Sequence, residues 1–251
     1  MGKLAKAFLE FTGRRFGFNI ARDRRIGPLF EKVHLRRFLR HFDVDCVFDV
    51  GANRGQYAEM LRRSAGYRGL IISFEPVPEI FAELEKKARR DPKWIVEPLA
   101  LDDRSGESTI NVMREDQFSS LLEPKHDEVQ LFKSMNLVTS RTKIRTERLS
   151  SIYQKYFEQF RFSRPFLKLD TQGNDLKIAR DARDILHHFA GIQSELSIKR
   201  IYGGAPGYVE AISFYQECGF ELSALVPNNE GYFPRLIETD CIMVRADLLD
   251  R

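Results

Sequence analysis

CVFDVGANRGQYAEML, residues 46–61, is the stretch that decides the fold. A short apolar run of β type ends at Asp49-Val50. Gly51 and Gly55 follow in the spacing D-x-G-x-x-x-G, and Gln56 opens a helical pattern. Gly51 permits a tight turn and close approach of backbone to a ligand, and Gly55 permits close helix–strand packing. The spacing differs from the G-x-G-x-x-G of a dinucleotide fold. An acid just before the first glycine disfavours a pyrophosphate and suits a cationic ligand group. Twenty residues beyond Gly55, Glu75 ends the next apolar run in GLIISFEP (69–76), where a carboxylate can bind the two hydroxyls of a ribose. Turn and acid together point to a nucleoside-type cofactor at the carboxyl ends of parallel strands.

Outward from this stretch the chain alternates. NRGQYAEMLRRSA (53–65) is helical and closed by Gly66, GLIISFE is a strand, VPEIFAELEKKARR (77–90) a helix, and KWIVEPLAL (93–101) one strand. The βαβαβ alternation predicts a parallel sheet with helices on both faces. GESTINVM (106–113) is an added extended segment, and residues 114 to 145 are expected to be a long loop with a helix over the site. Further on come a helix (150–160), a strand in PFLKLD (165–170), one helix over NDLKIARDARDILHHF (174–189), a strand in GIQSELS (191–197), and a helix in YVEAISFYQECGF (208–220). The last two strands, in ELSALV (221–226) and ETDCIMVRA (238–246), have no helix between them and should pair antiparallel. Helical spacing of Leu4, Ala7, Phe8 and Phe11, then of Leu29, Phe30, Val33, Leu35, Phe38 and Leu39, makes residues 1–43 a helical lead-in.

A length of 251 residues fits one large α/β domain, or a domain with an added segment, and with 43% hydrophobic and 30% charged residues the chain can build a sizeable core. No apolar run is long enough to span a bilayer. The first residues lack the apolar core and small-residue cleavage site of a signal peptide, so a cytoplasmic protein is expected. Cys46, Cys218 and Cys241 are too scattered for a zinc site or a disulfide framework and are read as buried thiols. Charge is uneven. Residues 1–41 hold eleven Lys and Arg against three acids, a local +8 in a chain of +4, which leaves −4 on the rest. A basic arm on a mildly acidic body suits an anionic membrane or glycolipid surface, with peripheral attachment, or a nucleic acid; a solvated helical face, a homodimer interface or a lid are the other readings.

At this point the sequence resembles the FkbM-type family of S-adenosylmethionine-dependent methyltransferases. The resemblance rests on VFDVGANRGQYA (47–58), ISFEPVPEIFAEL (72–84), EPLALDDRSGESTINV (97–112), FSSLLEP (118–124), TERLSSIY (146–153), FLKLDTQGNDLKIARDA (166–182), IQSELS (192–197) and ETDCIMVR (238–245). It implies an α/β, Rossmann-like seven-stranded methyltransferase sheet, mostly parallel with the last strand antiparallel, over residues 44–251, behind the basic helical extension 1–43. It implies S-adenosyl-L-methionine as cofactor and O-methylation of a hydroxyl, on a sugar of a glycolipid or polysaccharide or on a related natural product. By the same resemblance Asp49, Gly51, Asn53, Gly55 and Gln56 would surround the methionine part. Glu75 would bind the ribose with Pro76 shaping the turn, Ala100 and Leu101 would lie near the adenine, and Ser119 and Ser120 could cap the cofactor or simply form a turn. Many family members carry D-V-E-G-A-E where this chain has Asp170-Thr171-Gln172-Gly173-Asn174-Asp175. A role that needs charge at the second acidic position is therefore in question here.

A neutral sugar hydroxyl is a poor nucleophile, so a general base helps. Asp170, ending its strand on the cofactor side, and Glu195, on the next strand, are the candidate catalytic pair. The alternatives are a helix cap for Asp170 and a structural hydrogen bond for Glu195. A divalent metal held by this pair is less favoured than a base and its orienter. His126, in the uncertain loop, is the one histidine expected to reach the site. The loops at Tyr202-Gly203-Gly204 and VPNNEGYFPR (226–235) are expected to shape the acceptor pocket. Nucleic-acid methylation is a weaker alternative, since no Asn-Pro-Pro-aromatic signature is present; a cofactor-binding protein without transfer activity is another.

Overall fold

The computed structural model describes residues 26–227 and 234–250. Expectations placed on residues 1–25 and on 228–233 lie outside the described residues.

Seven strands form the main sheet: β1 (Cys46–Val50), β2 (Leu70–Phe74), β3 (Trp94–Glu97), β7 (Pro165–Leu169), β8 (Gly191–Ser197), β9 (Phe220–Pro227) and β10 (Glu238–Arg245), in the order β3-β2-β1-β7-β8-β10-β9. β1 pairs parallel with β2 and β7, β2 with β3, and β7 with β8. β10 is antiparallel to both β8 and β9, as expected of a strand reached without a crossover helix.

The helices are α1 (Ile26–His41), α2 (Gln56–Met60), α3 (Pro78–Ala88), α4 (Leu149–Phe160), α5 (Asp175–Asp181), α6 (Arg183–Leu186) and α7 (Tyr208–Glu217). α2 runs on through a wider π turn, Leu61–Ala65, and is stopped by Gly66 at φ 72°. Successive strand residues point to opposite faces. Phe48, Ile72, Leu167 and Ile192 pack beneath α4, α5 and α7, while Val47, Ile71, Phe166 and Ile242 pack beneath α1, α2 and α3. α1 buries Leu35, Phe38 and Leu39 in that second layer, with the Phe38 ring edge-on to Phe166 at 5.3 Å. Among the described residues no helix is long and apolar enough to cross a membrane.

Three expectations are corrected. The loop expected over 114 to 145 extends only to residue 137, with two 3₁₀ turns, Asp116–Phe118 and Gln130–Phe132, in place of a helix. Val138–Glu147 is a strand, β6, antiparallel to β5 (Gly106–Met113) and parallel to β4 (Ala100–Leu101), in a separate three-stranded sheet. β6 reads as loop because Arg141, Lys143 and Arg145 face solvent and only Ile144 and Thr146 are buried. KWIVEPLAL is two strands in two sheets, β3 and β4, parted around Pro98. The helix expected over 174–189 breaks at Ala182 into α5 and α6.

Candidate active site

The loops after β1, β2 and β7 meet above the sheet. Gly51 leaves β1 at φ 74°, and its N–H and that of Ala52 both donate to the carbonyl of Phe74, at 3.1 and 3.0 Å. A methyl group at Gly51 would lie 1.8 Å from the carbonyl oxygen of Asp170. The turn therefore passes directly against the end of β7, and only glycine fits. Gly55, at φ 80°, lies under the ring of Trp94 and against Leu84, the close helix–sheet contact its position suggested.

Glu75 is buried at the end of β2. Its Oε2 accepts from the N–H of Asn53 and its Oε1 from the N–H of Val77, both at 2.9 Å. Burial pushes its pKa up to about 7, against the lowering pull of those two bonds and of Lys168. Each oxygen keeps a second lone pair that can accept a ligand hydroxyl.

Glu75 faces a cavity of about 490 Å³, within the roughly 300–1,000 Å³ typical of ligand sites. Of the expected residues, Gly51, Asn53, Gln56, Glu75, Pro76, Ala100, Leu101, Ser119, Ser120 and Asp170 line it. Ala100, Leu101 and Ile110 form an apolar end beside Glu75. Asp49, Gly55 and Glu195 do not line it. Asp49 is wholly buried beneath the turn. Its Oδ2 accepts from Ser73 at 2.8 Å, and Oδ1 lies 3.2 Å from the Lys168 ammonium without hydrogen-bond geometry.

Lys168 carries no signal of its own in the sequence beyond being the one charge in the wholly buried strand β7. Its Nζ donates to the carbonyls of Gly51 and Val50, at 3.0 and 3.3 Å, and lies 3.4 Å from Asp170 Oδ2. Burial works against its charge, but Asp170 and Asp49 prevail and hold its pKa above the ordinary lysine range.

Asp170 and Glu195 do converge, on an amide. Gln172 Nε2 donates to Asp170 Oδ1 at 2.9 Å and to Glu195 Oε2 at 2.8 Å. Gln172 sits at φ 55°, and its Oε1 is 2.8 Å from the buried Tyr202 hydroxyl, which also lies 2.8 Å from the Phe118 carbonyl. Burial, then the charges of Glu238 and Asp170, push Glu195 well above the carboxylate range. Glu238 is pushed up to about 8 by burial and by Asp170. Both therefore hold their protons more tightly than an ordinary carboxyl group. Asp170 keeps a 39% exposed side chain on the cavity wall. The link from the next loop to β8 is Asp175, whose carboxylate accepts from Thr171 N at 2.7 Å, Glu195 N at 3.0 Å and Ser194 Oγ at 3.1 Å.

The serine loop is tethered. Ser120 Oγ donates to the Gln172 carbonyl at 2.7 Å and accepts from Leu122 N, and Ser119 Oγ accepts from Met113 N. His126 bonds Asn136 and is not on the cavity wall. Gly204 lines a separate surface groove. Among the described residues no three His, Cys, Asp or Glu side chains come together as metal ligands. The far wall of the cavity, on the β8–β10 side, comes from Glu31 and Lys32 of α1 with Tyr57, Gln193 and Asp240, none of which was singled out from the sequence.

The model of the family described as Methyltransferase FkbM domain matches residues 49–222. This chain belongs to that family. It therefore carries a methyltransferase domain. No curated protein matches the sequence. Among solved structures, this FkbM-domain chain is similar to the methyltransferase FkbM from Methylobacillus flagellatus KT, at 12% identity and TM-score 0.49, over 80% of this chain and 44% of that one. It thus spans less than half the length of that protein. It is also similar to the magnesium protoporphyrin IX methyltransferase ChlM from Synechocystis PCC 6803 with bound SAM, at 10% identity, TM-score 0.44, 96% and 95% coverage. A third is Aeropyrum pernix fibrillarin in complex with S-adenosyl-L-methionine, at 13% identity, TM-score 0.42, 80% and 66% coverage. The cavity suits the cofactor chemically: a buried carboxylate with free lone pairs for ribose hydroxyls, an apolar end for a purine, and the Asp170 carboxylate near the turn for a cationic centre.

Proposed function

We propose that this methyltransferase acts on a hydroxyl oxygen, most simply that of a sugar in a glycolipid, polysaccharide or related natural product. The observation that carries the reading is Asp170, an accessible carboxylate on the cavity wall at the carboxyl end of β7, beside a cationic lysine. A neutral hydroxyl must lose its proton as it is methylated, and a placed carboxylate takes it.

In this reading Glu75 accepts the ribose hydroxyls, and Gln56, Asn53 and the Gly51 turn border the methionine part. S-adenosylmethionine supplies, when bound, a methyl group on a positively charged sulfur. Asp170 would accept the acceptor's proton as the new C–O bond replaces the methyl–sulfur bond, with S-adenosylhomocysteine as the leaving group, and pass the proton to solvent. Lys168 Nζ lies 3.4 Å from Asp170 Oδ2, and Gln172 fixes the carboxylate through Oδ1. Glu195, off the cavity wall, serves as the far anchor of that amide, an orienter rather than a base.

The test is transfer from methyl-labelled S-adenosylmethionine to sugar acceptors, comparing wild type with Asp170→Asn. Label in an O-methyl ether with wild type, and at least about a hundredfold less with the variant, supports the reading. Label found only on amines or nucleic acid, or undiminished transfer by the variant, overturns it.

A further inference from the structure

The cavity extends beyond the part that the family's residues 49–222 enclose. Its wall on the β8–β10 side is built by α1, which precedes the matched region. A buried amide fixes the geometry there. Gln193 Oε1 accepts from the Tyr57 hydroxyl at 2.9 Å, while its Nε2 donates to Glu31 Oε1 at 2.9 Å and to Asp240 Oδ2 at 2.8 Å. Both hydrogens of the amide are used, so its orientation is set. The second oxygen of Glu31 and the ammonium of Lys32 have no hydrogen-bond or ion-pair partner among the described residues, and both residues line the cavity. Tyr57 and Met60 add apolar surface on the same side.

We propose that this end is the acceptor subsite, and that α1, through Glu31 and Lys32, determines which acceptor the enzyme takes. The arrangement rests on the reading of a hydroxyl acceptor and deepens it. A carboxylate accepts two donors, an ammonium donates to lone pairs, and adjacent ring hydroxyls offer both at once. Tyr57 and Met60 suit the apolar C–H face of a ring. Around the cavity Glu31, Glu75, Asp116, Asp170 and Asp240 outnumber Lys32 and Lys168, which disfavours phosphate or carboxylate groups, so a neutral sugar ring is the class favoured. The proton chemistry stays with Asp170; Glu31 and Lys32 are specificity-determining residues, and Gln193 positions Glu31.

The experiment uses the full chain saturated with S-adenosylhomocysteine, with methyl α-D-glucopyranoside and methyl α-L-rhamnopyranoside as probes, read by saturation-transfer NMR titration. Variants are Glu31→Gln, Lys32→Met and, as a control on the exposed side of the same helix, Arg37→Ala. S-adenosylhomocysteine affinity is measured in parallel by calorimetry. Loss of a hydrogen bond to a charged group predicts probe affinity about tenfold weaker or more in the first two variants. S-adenosylhomocysteine affinity should stay within twofold, and Arg37→Ala should match wild type. Probe affinity unchanged in both variants overturns the proposal, as does a parallel fall for S-adenosylhomocysteine, or no probe binding by wild type. Failure of the hydroxyl-transfer reading looks different: a bound probe that is never methylated when the donor is supplied.

Discussion

Gly51→Ala is the sharpest perturbation of the site. Gly51 lies at φ 74°, where a side chain carries steric strain of about 1–2 kcal/mol. The added methyl would also sit 1.8 Å from the carbonyl oxygen of Asp170, a backbone atom just past the end of β7. Relief requires β1 and β7 to part at their carboxyl ends, and overpacking of this kind adds about 1–3 kcal/mol. The sum, about 2–5 kcal/mol, corresponds to a Tm loss of about 4–20 °C for a domain of this size. Gly66→Ala is the matched control. Gly66 has nearly the same φ, 72°, but an added methyl meets nothing within 4 Å, so only the strain is felt. Differential scanning calorimetry of both variants separates clash from strain. Titration of the Gly51 variant with S-adenosylmethionine, below its Tm, reads the damage to the cavity. A Tm loss for Gly51→Ala no larger than for Gly66→Ala would refute the claim that the turn is pinned against Asp170.

Other expectations concern charge. Glu75 in the cofactor-free protein has its pKa raised to about 7, so cofactor affinity should be full above that pH and fall below it, up to about tenfold per unit, as the carboxylate is protonated; calorimetry from pH 5.5 to 8.5 should show the slope in wild type and lose it in Glu75→Gln. Lys168→Met strands the buried Asp49 carboxylate without its counter-charge, and urea denaturation should report a loss of about 3–5 kcal/mol; a loss under about 1 kcal/mol would mean Asp49 is held by Ser73 alone. Gln172→Glu places a third carboxyl group between Asp170 and Glu195, and the pH–rate profile should move upward as the cluster retains protons more tightly. An unshifted profile would show that Gln172 does not couple to the base.

The central sheet was legible because its strands are short apolar runs whose helices carry a clear period. β6 was not, since its alternation lies between polar and barely buried residues, and its partner β5 matters more to it than its own composition. The cofactor end of the site was legible because Gly51 and Glu75 lie on adjacent loops of one βαβ unit. The opposite end was not. Glu31 and Gln193 meet across 162 residues, and no local pattern marks either. Asp170 was legible as an acid at a strand end and Glu195 as an acid on the next strand, but the burial of Glu195 near Glu238, on another strand, was not. The Gln172 departure reads in the sequence as a lost charge; in the fold the same amide is the tie between the two acids.

The meeting of Gly51 with the end of β7 has a consequence for the order in which the molecule is made. Asp49 and Ser73, which join β1 to β2, are 24 residues apart, whereas Lys168 reaches Gly51 across 117. Closing the longer loop carries about 1.4 kcal/mol more entropy loss. The first half of the sheet can form early, while the floor of the cavity exists only after the second half has docked. A nucleoside ligand therefore has nothing to hold in a half-made chain. Such a ligand should slow unfolding and leave the refolding rate unchanged, acting as a lock on the finished molecule rather than a guide to it.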